Sequence, residues 1–300
     1  MAGFFTGLTL ASSGSTDYIH HTVVIHMTDL MSNQKVPGRI PLSTDFSAPG
    51  WAHFRSEQPA VSSSLIYAVG DIHGHDALLE KMLDAIQADR QTALAEKACI
   101  IFLGDYIDRG PHSRQVVDRL LKAEKQDSSV SHIFLLGNHE QWLIDFIRER
   151  PVLPVWGSQG GLETLLSYGV PRQLILQGLT DDKAAAAVRQ VFLEQLPESH
   201  RLFFLSLKQS VEVDDYFFVH AGVDPIRPLD NQSLQSLIWI RHKFLHSKMD
   251  FGKVVVHGHT PSALPESLPN RINLDSGIYY RGVLRCAVLE GTSRYLIQVE

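Results

Sequence analysis

The sequence contains very little cysteine: Cys99 and Cys286 are the only two among its 300 residues. Both lie in apolar runs that have the character of strands. We therefore expect ordinary buried thiols in a reducing compartment and no disulfide. Two thiols are also too few to make a thiolate metal site plausible.

Long apolar stretches are missing as well. No run reaches the roughly 18 apolar residues of a transmembrane helix. The mildly apolar residues 1–11 lack the basic region of a secretory signal. These absences predict a cytoplasmic protein without a membrane partner.

Basic tracts are the third absence. The formal net charge is −6, and no long basic run occurs. Binding to a nucleic-acid backbone needs a positive face, so we expect no nucleic-acid partner. The hydrophobic content of 44% is sufficient for a sizeable core.

The character of the chain changes near residue 63. Residues 1–63 mix Ser, Gly, Pro and His with little periodicity, which predicts a poorly ordered extension. Residues 64–300 are expected to form the catalytic domain, which begins with a β-α-β-α-β pattern. Within it, residues 151–208 have helical spacing and no catalytic cluster, so we predict a helical insertion that walls a cleft. Strand patterns return after residue 208 and predict a second sheet.

Five short motifs carry groups that can bind a metal, each at or just after an apolar run. They are Gly70-Asp71-Ile72-His73-Gly74, Gly104-Asp105-Tyr106-Ile107-Asp108-Arg109-Gly110, Gly137-Asn138-His139-Glu140, His220-Ala221-Gly222 and Gly258-His259-Thr260. In open α/β sheets, ligands bind at the carboxyl ends of the strands. Two Asp, one Asn and three His at one place match a two-metal hydrolytic site, and such sites serve in-line displacement at phosphorus.

Spacing indicates which groups share an ion. Asp71 and His73 are two residues apart at a strand end, so both project to one side and can reach one ion. Taken alone, this pair is equally compatible with a surface turn. Asp105 repeats the pattern on the next strand, and its two oxygens can bridge two cations.

The second ion is expected on Asn138, His220 and His259. Mixed oxygen and nitrogen ligation suits Mn, Fe or Zn better than Mg or Ca. His257 lies two residues from His259 and can share its face, so a ligand role stays open. We predict a structural role for it, or one in support of the ligands.

Two further residues suit the chemistry of a phosphate ester. His139 is better placed as an acid than as a ligand. Arg109 offers a planar fork that matches phosphate oxygens. The alternative for Arg109 is an ion pair with Asp108 or Asp118 at a helix end.

The order and spacing of the five motifs resemble the calcineurin-like metallophosphoesterases, and among them the bacterial and phage type of phosphoprotein phosphatase. The resemblance extends from about residue 65 to the C-terminus. It implies an α/β fold, a four-layer sandwich of two mixed β-sheets flanked by helices. One departure is visible, because His220-Ala221-Gly222 replaces the commoner His-Gly-Gly.

The resemblance also implies roles for individual residues. It places one metal on Asp71, His73 and Asp105, and a second on Asp105, Asn138, His220 and His259. It makes His139, backed by Asp108, the general acid. It makes Arg109 a phosphate-binding residue, with Arg241 as the second such arginine and Arg227 as the alternative.

The function implied is a two-metal phosphomonoester hydrolase, most specifically a serine/threonine protein phosphatase that uses Mn²⁺. A hydroxide bridging the metals is expected to attack phosphorus in line. Tyr106 favours a protein phosphatase, by resemblance only. Three alternatives stay open: a dinucleoside tetraphosphate hydrolase, a non-catalytic phosphoprotein-binding module, and a metal-dependent nuclease, which the acidic charge disfavours.

Overall fold

The computed structural model describes residues 38–42, 60, 62–93 and 97–300. In the first half, strands alternate with helices, as the change from apolar runs to helical spacing predicts. The elements are β1 Ile40–Pro41, β2 Ser62–Val69, α1 Asp76–Arg90, β3 Ala98–Phe102, α2 Ser113–Gln126, β4 Val130–Phe134 and α3 Asn138–Ile147.

Helices occupy the segment that follows. They are α4 Leu153–Trp156, α5 Leu162–Ser167, α6 Arg172–Gly178, α7 Asp182–Gln195 and α8 Glu198–Ser206, with a kinked segment, Gly157–Gly161, between α4 and α5. Asp181 caps α7, because its side chain accepts the N–H of Ala184 at 2.7 Å. Across the residues that the structure describes, no helix has the length and apolar character needed to cross a bilayer.

Strands return after residue 208. The remaining elements are β5 Ser210–Val213, β6 Tyr216–Val219, α9 Leu234–Trp239, α10 His242–Leu245, β7 Val254–His257, β8 Glu266–Leu268, β9 Arg271–Asn273, α11 Ile278–Arg281, β10 Leu284–Gly291 and β11 Ser293–Val299. Asp214 and Asp215 form the turn between β5 and β6. The short strand β8 was not predicted from the sequence.

Two mixed sheets organise these elements. The first has the order β1-β11-β10-β2-β3-β4 and the second the order β5-β6-β7-β9-β8. Strands β2, β3 and β4 are parallel, as are β6, β7 and β9. This arrangement of two mixed sheets flanked by helices confirms the predicted fold class.

The prediction that all late strands belong to the second sheet was wrong. Strands β10 and β11 return to the first sheet, where β10 pairs antiparallel with β2 and Val288 lies opposite Tyr67. Six of the eight residues of β10 are buried. A strand that is covered on both faces is expected inside a sheet and not at its edge, and β10 lies between β11 and β2.

The core lies on both faces of the first sheet. Along β2, Ile66 and Ala68 pack towards the second sheet against Phe218, whereas Tyr67 packs on the other side with Leu79 of α1. This alternation follows from the two-residue period of a strand. Because β2, β3 and β4 are in register, with Val69 opposite Phe102 and Phe102 opposite Phe134, their carboxyl ends lie level at one edge.

Part of the predicted extension is built into the first sheet. Strand β1 pairs with β11, and the buried side chain of Arg39 donates to both carboxylate oxygens of Asp89 at 2.6 and 2.9 Å. Its other nitrogen donates to Glu290 at 2.6 Å, and the hydroxyl of Tyr67 donates to Asp89 at 2.6 Å. Residues 38–42 therefore differ from the expectation of poor order, because a buried ion pair fixes them. Most of the predicted extension lies outside the described residues.

Removing Arg39 should test this attachment. Arg39→Ala leaves the carboxylate of Asp89, whose side chain is 3% exposed, without its cation. Breaking a buried pair from one side costs about 3–5 kcal/mol of folding free energy, which urea unfolding would measure. The matched control is Arg201→Ala, which breaks an exposed pair with Glu198 and should change stability little. Equal losses of unfolding free energy in the two variants would contradict the conclusion that the buried ion pair holds Arg39 in place.

Candidate active site

The level strand ends bring the predicted metal ligands together. Asp71 and His73 follow β2, Asp105 follows β3, Asn138 begins α3, and His220 and His259 follow β6 and β7. All six side chains are buried, with at most 4% of each exposed. The site is thus a buried cluster of carboxylate, amide and imidazole groups at the edge where both sheets end.

Unusual backbone conformations mark this edge. Positive φ angles occur at His73 (43°), Asp105 (52°), Asp108 (72°), Arg109 (66°) and His259 (64°). Residues other than glycine rarely adopt this left-handed region of backbone conformation, and such strain concentrates at functional sites.

Glu140 holds residues 105–107 in place. Its two carboxylate oxygens accept the backbone N–H groups of Asp105 and Tyr106 at 2.8 Å, and those of Gly137 and Ile107 at 3.1 and 3.3 Å. Burial raises the pKa of Glu140 to about 7, although these hydrogen bonds favour the ionised form. Sequence analysis gave Glu140 no role. Its place three residues after Gly137, as in a capping box, was the available signal.

Asp105 lies between two groups of potential ligand atoms. One group contains His73, Asp105 and His139, and the other contains Asp105, His220 and His259. Within each group the ligand atoms lie within 4.8 Å of one another. The Oδ2 atom of Asp105 is 3.5 Å from Nε2 of His73, and its Oδ1 atom is 3.3 Å from Nε2 of His220. One oxygen of Asp105 therefore faces each group.

The imidazoles present lone pairs, not protons, to Asp105. The Nδ1–H group of His73 donates to the carbonyl of Ile107, and that of His220 donates to the carbonyl of Leu103, each at 2.9 Å. Burial lowers the pKa of His220 to about 3 and that of His73 well below its ordinary value, so both rings are neutral. The Nε2 atom of each ring is then an acceptor aimed at a carboxylate oxygen.

Such converging acceptors fit a cation. The Oδ1 atom of Asn138 lies 3.0 Å from Nε2 of His220 and adds a further acceptor. The buried Nε2 atom of His259 has no hydrogen-bond partner. Burial, followed by the charge of Glu140, raises the pKa of Asp105 well above its usual range, against the opposing effects of the His139 N–H and the charge of Arg109. The donor set therefore fits divalent metals, with a fixed second hydrogen bond on His73 and His220.

Asp71 lies beside these groups and is held by the backbone. Its two oxygens accept the N–H of His259 at 3.2 and 3.3 Å. A Cβ atom at Gly258 would come within 2.1 Å of Asp71 Oδ1, so only glycine permits this approach. Burial, followed by the charge of Asp275, raises the pKa of Asp71. Asp275 was missed in the sequence, although it follows β9 just as the predicted acids follow their strands.

A buried hydrogen-bond chain runs through His139. Its Nδ1–H group donates to Oδ2 of Asp108 at 2.6 Å. Asp108 also accepts from Trp156 Nε1 at 2.7 Å and from Thr164 Oγ1 at 2.5 Å. Burial raises the pKa of Asp108 to about 7, against the opposing effect of these hydrogen bonds. Trp156 and Thr164 belong to the helical segment to which sequence analysis assigned no part of the site.

Two arginines reach the site. Arg109 Nη2 donates to Nε2 of His139 at 3.4 Å. Arg241 Nη1 donates to the hydroxyl of Thr260 at 3.4 Å, and its charge helps to lower the pKa of His139 after burial and Arg109. Arg227 is exposed and lines a surface groove with Pro225 and Asp250. Its charge helps to lower the pKa of Asp224, after the hydrogen bond from Lys243.

The remaining predicted neighbours, Asp118 and His257, belong to neither ligand group. Asp118, one suggested partner of Arg109, binds Nε2 of His200 at 3.0 Å instead. His257 donates from Nδ1 to the carbonyl of Gly258 and packs edgewise against Phe244, 5.0 Å between ring centroids.

Comparison with known proteins places this geometry in a family. The model of the calcineurin-like phosphoesterases matches residues 64–284. A bis(5'-nucleosyl)-tetraphosphatase of the asymmetrical PrpE type, from Anoxybacillus flavithermus, is 28% identical over 238 residues, which cover 72% of this chain and 86% of that protein.

Solved structures agree on the fold. A candidate diadenosine tetraphosphatase matches with a TM-score of 0.55 and 21% identity, covering 80% of this chain and 97% of that one. A mutant of a cold-active protein tyrosine phosphatase matches with a TM-score of 0.52 and 16% identity, covering 78% and 80%. At such identities these likenesses concern the fold alone. With a family match over residues 64–284 and a strand-end cluster of metal-binding groups, the chain belongs to the calcineurin-like phosphoesterase family.

Proposed function

We propose that this protein is a two-metal phosphoester hydrolase that acts on dinucleoside polyphosphates. The observation that carries the proposal is Asp105, with the unprotonated Nε2 atoms of His73 and His220 facing its two oxygens. The substrate class is supported by the tetraphosphatase of Anoxybacillus flavithermus, which aligns over 72% of this chain.

Tyr106, which favoured a protein phosphatase in the sequence, does not separate the substrates. It is fully buried, and its hydroxyl donates to the carbonyl of Leu135 at 2.8 Å. Its role is therefore in the core, beneath the site.

A serine/threonine phosphoprotein phosphatase is the second candidate, and the His139–Asp108 pair favours it. An alkoxide is a basic leaving group and gains most from a positioned acid, whereas a leaving nucleotide phosphate needs less help. A buried, doubly supported dyad is the device that a phosphoserine ester requires.

In this proposal Asp71, His73 and Asp105 hold one metal, and Asp105, Asn138, His220 and His259 hold the second. Bound divalent ions polarise the phosphoryl oxygens and lower the pKa of a bound water. The nitrogen and oxygen donors suit Mn²⁺, with Fe and Zn as the alternatives. Arg109, which is half-buried, and Arg241, which is exposed, bind the phosphate oxygens.

His139 acts as the proton donor. Because Asp108 holds its Nδ1–H, the transferable proton belongs on Nε2, the atom that faces Arg109. Burial and the charges of Arg109 and Arg241 oppose protonation of this ring in the free protein. A bound phosphate is negative, so it offsets both arginines and allows Nε2 to take up the proton that the leaving oxygen needs.

A substrate panel with Mn²⁺ tests the proposed function directly. We expect kcat/KM for diadenosine tetraphosphate to exceed the values for phosphoserine, phosphothreonine and phosphotyrosine peptides. The reverse order for phosphoserine and phosphothreonine would establish the second candidate. Metal binding without turnover of any substrate would indicate a phosphoprotein-binding module instead.

Asp105→Asn should be the most damaging change to a single ligand. It removes the one carboxylate that faces both groups, so both metal sites should weaken together. Metal per chain, measured by mass spectrometry, should fall further than in Asp71→Asn, which touches one proposed site only. Circular dichroism should report a retained fold in each variant. An Asp105→Asn protein with full metal content and turnover would remove Asp105 from the bridging role.

His139→Asn should separate substrates by leaving group. General acid catalysis contributes about 10²–10⁴ in rate. The loss should therefore be large for a phosphoserine ester and small for p-nitrophenyl phosphate, whose phenolate leaves without a proton. Metal content should stay constant, because His139 is proposed as an acid. Since His139 lies in the group with His73 and Asp105, a loss of metal would instead identify it as a ligand.

A further inference from the structure

Arg109 is held from two sides by residues that the proposed mechanism does not use. Its guanidinium lies over the ring of Tyr279, with Cζ 4.2 Å from the ring centroid. Its backbone N–H donates to the carbonyl of Gly160 at 3.2 Å. We propose that Tyr279 and Gly160 form a clamp that fixes Arg109 in the orientation that receives the substrate phosphate. This inference rests on the proposed function and assigns both as positioning residues.

Arg109 needs such support because its usual stabilising partners are engaged elsewhere. The oxygens of the adjacent Asp108 accept from His139, Trp156 and Thr164. A long side chain loses rotamer freedom when it is fixed, and an aromatic face compensates by attracting the cation without neutralising its charge. The guanidinium therefore keeps its positive charge for an anion, which has only the long 3.4 Å contact with His139 Nε2 to displace.

Tyr279 is well anchored although 40% of it is exposed. It lies on α11, which begins after Gly277 (φ 69°) and ends before Gly282 (φ 66°), two left-handed positions that suit glycine. The N–H of Gly277 donates to Oδ1 of Asp275 at 2.8 Å, and the neighbouring Ile278 is fully buried. The ring of Tyr279 also packs edgewise against His73, 5.6 Å between centroids. The aromatic side of the clamp is thus tied to the strand-end site.

The other side of the clamp needs a glycine. Gly160 lies in the segment Gly157–Gly161, where its φ of 109° makes a kink between two helical turns. A Cβ atom there would lie 2.6 Å from the Arg109 backbone nitrogen and 2.8 Å from its Cγ. The kink brings the carbonyl of Gly160 to Arg109. Gly160 is four residues after Trp156, whose side chain donates to Asp108.

The clamp predicts a loss of phosphate binding that depends on Arg109. Tyr279→Ala should raise KM and the inhibition constant of inorganic phosphate about three- to tenfold, the scale of a cation–π contact, and change kcat less. Tyr279→Phe keeps the ring and should behave as the wild type. Tyr279→Leu keeps the bulk without the ring and should match Tyr279→Ala. Gly160→Ala should raise KM as well.

The matched control is Tyr280→Ala. Tyr280 lies on the same short helix and is 55% exposed. Its ring lies by Arg281 and packs edgewise against Tyr279, 4.9 Å between centroids, but does not contact Arg109 by a cation–π interaction of its own. This variant should therefore raise KM much less than Tyr279→Ala does. In a double-mutant cycle, the effect of Tyr279→Ala should disappear when Arg109→Ala is already present. Equal effects at 279 and 280, or an undiminished effect without Arg109, would overturn the clamp.

Calorimetric binding of inorganic phosphate to the Mn²⁺-loaded protein keeps this test separate from the proposed activity. A wild type that binds phosphate but hydrolyses none of the panel would refute the proposed function and leave the clamp testable. Binding that Tyr279→Leu and Tyr279→Phe leave equally strong would refute the clamp even in an active enzyme.

Discussion

The placement of a buried carboxylate between two imidazole lone pairs is the constraint on which the site depends. Asp105 is 2% exposed, and Nε2 of His73 and of His220 face its oxygens at 3.5 and 3.3 Å. Acceptors that face one another in a dry interior are costly, and metal cations are the groups that remove this cost. Ligand binding to such a site stabilises the folded chain, so metal affinity and folding stability are coupled here.

The fold sustains this arrangement through its backbone. Glu140 accepts four N–H groups around Asp105, a second buried acid whose own pKa is raised to about 7. Those bonds hold the backbone from Asp105, which has a left-handed conformation, to Ile107. The carbonyls of Ile107 and Leu103 set the tautomers of His73 and His220. The ligand geometry thus depends on groups that do not themselves face the site, namely Glu140 and the backbone between β3 and α3.

Sequence reasoning reached the fold class and brought all six expected ligands to one edge, because a polar motif after each apolar run is a local signal. It failed where partners are distant in the chain. The sequence patterns of β10 and β11 are those of ordinary strands. No local feature of them indicates that β10 pairs with β2 in the first sheet. Arg39 attaches to Asp89 across 50 positions. Trp156 and Thr164 meet Asp108 only because the helical segment folds back on the site. Glu140 stands within a recognised motif and Asp275 just after a strand, but their roles depend on contacts that spacing does not reveal.

The contact between Arg109 and His139 gives the proposed chemistry an order. In the free protein Arg109 donates to Nε2 of His139, so that atom is occupied as an acceptor and carries no proton. A phosphate that takes the guanidinium fork releases Nε2 and adds negative charge beside it, and both changes raise the affinity of the ring for a proton. Asp108, fixed by Trp156, keeps Nδ1–H in place while this happens. In the proposed chemistry, the phosphate whose leaving group His139 would protonate thus also prepares His139 for that step. The helical segment that holds Asp108 lies in contact with the site through Trp156 and Thr164.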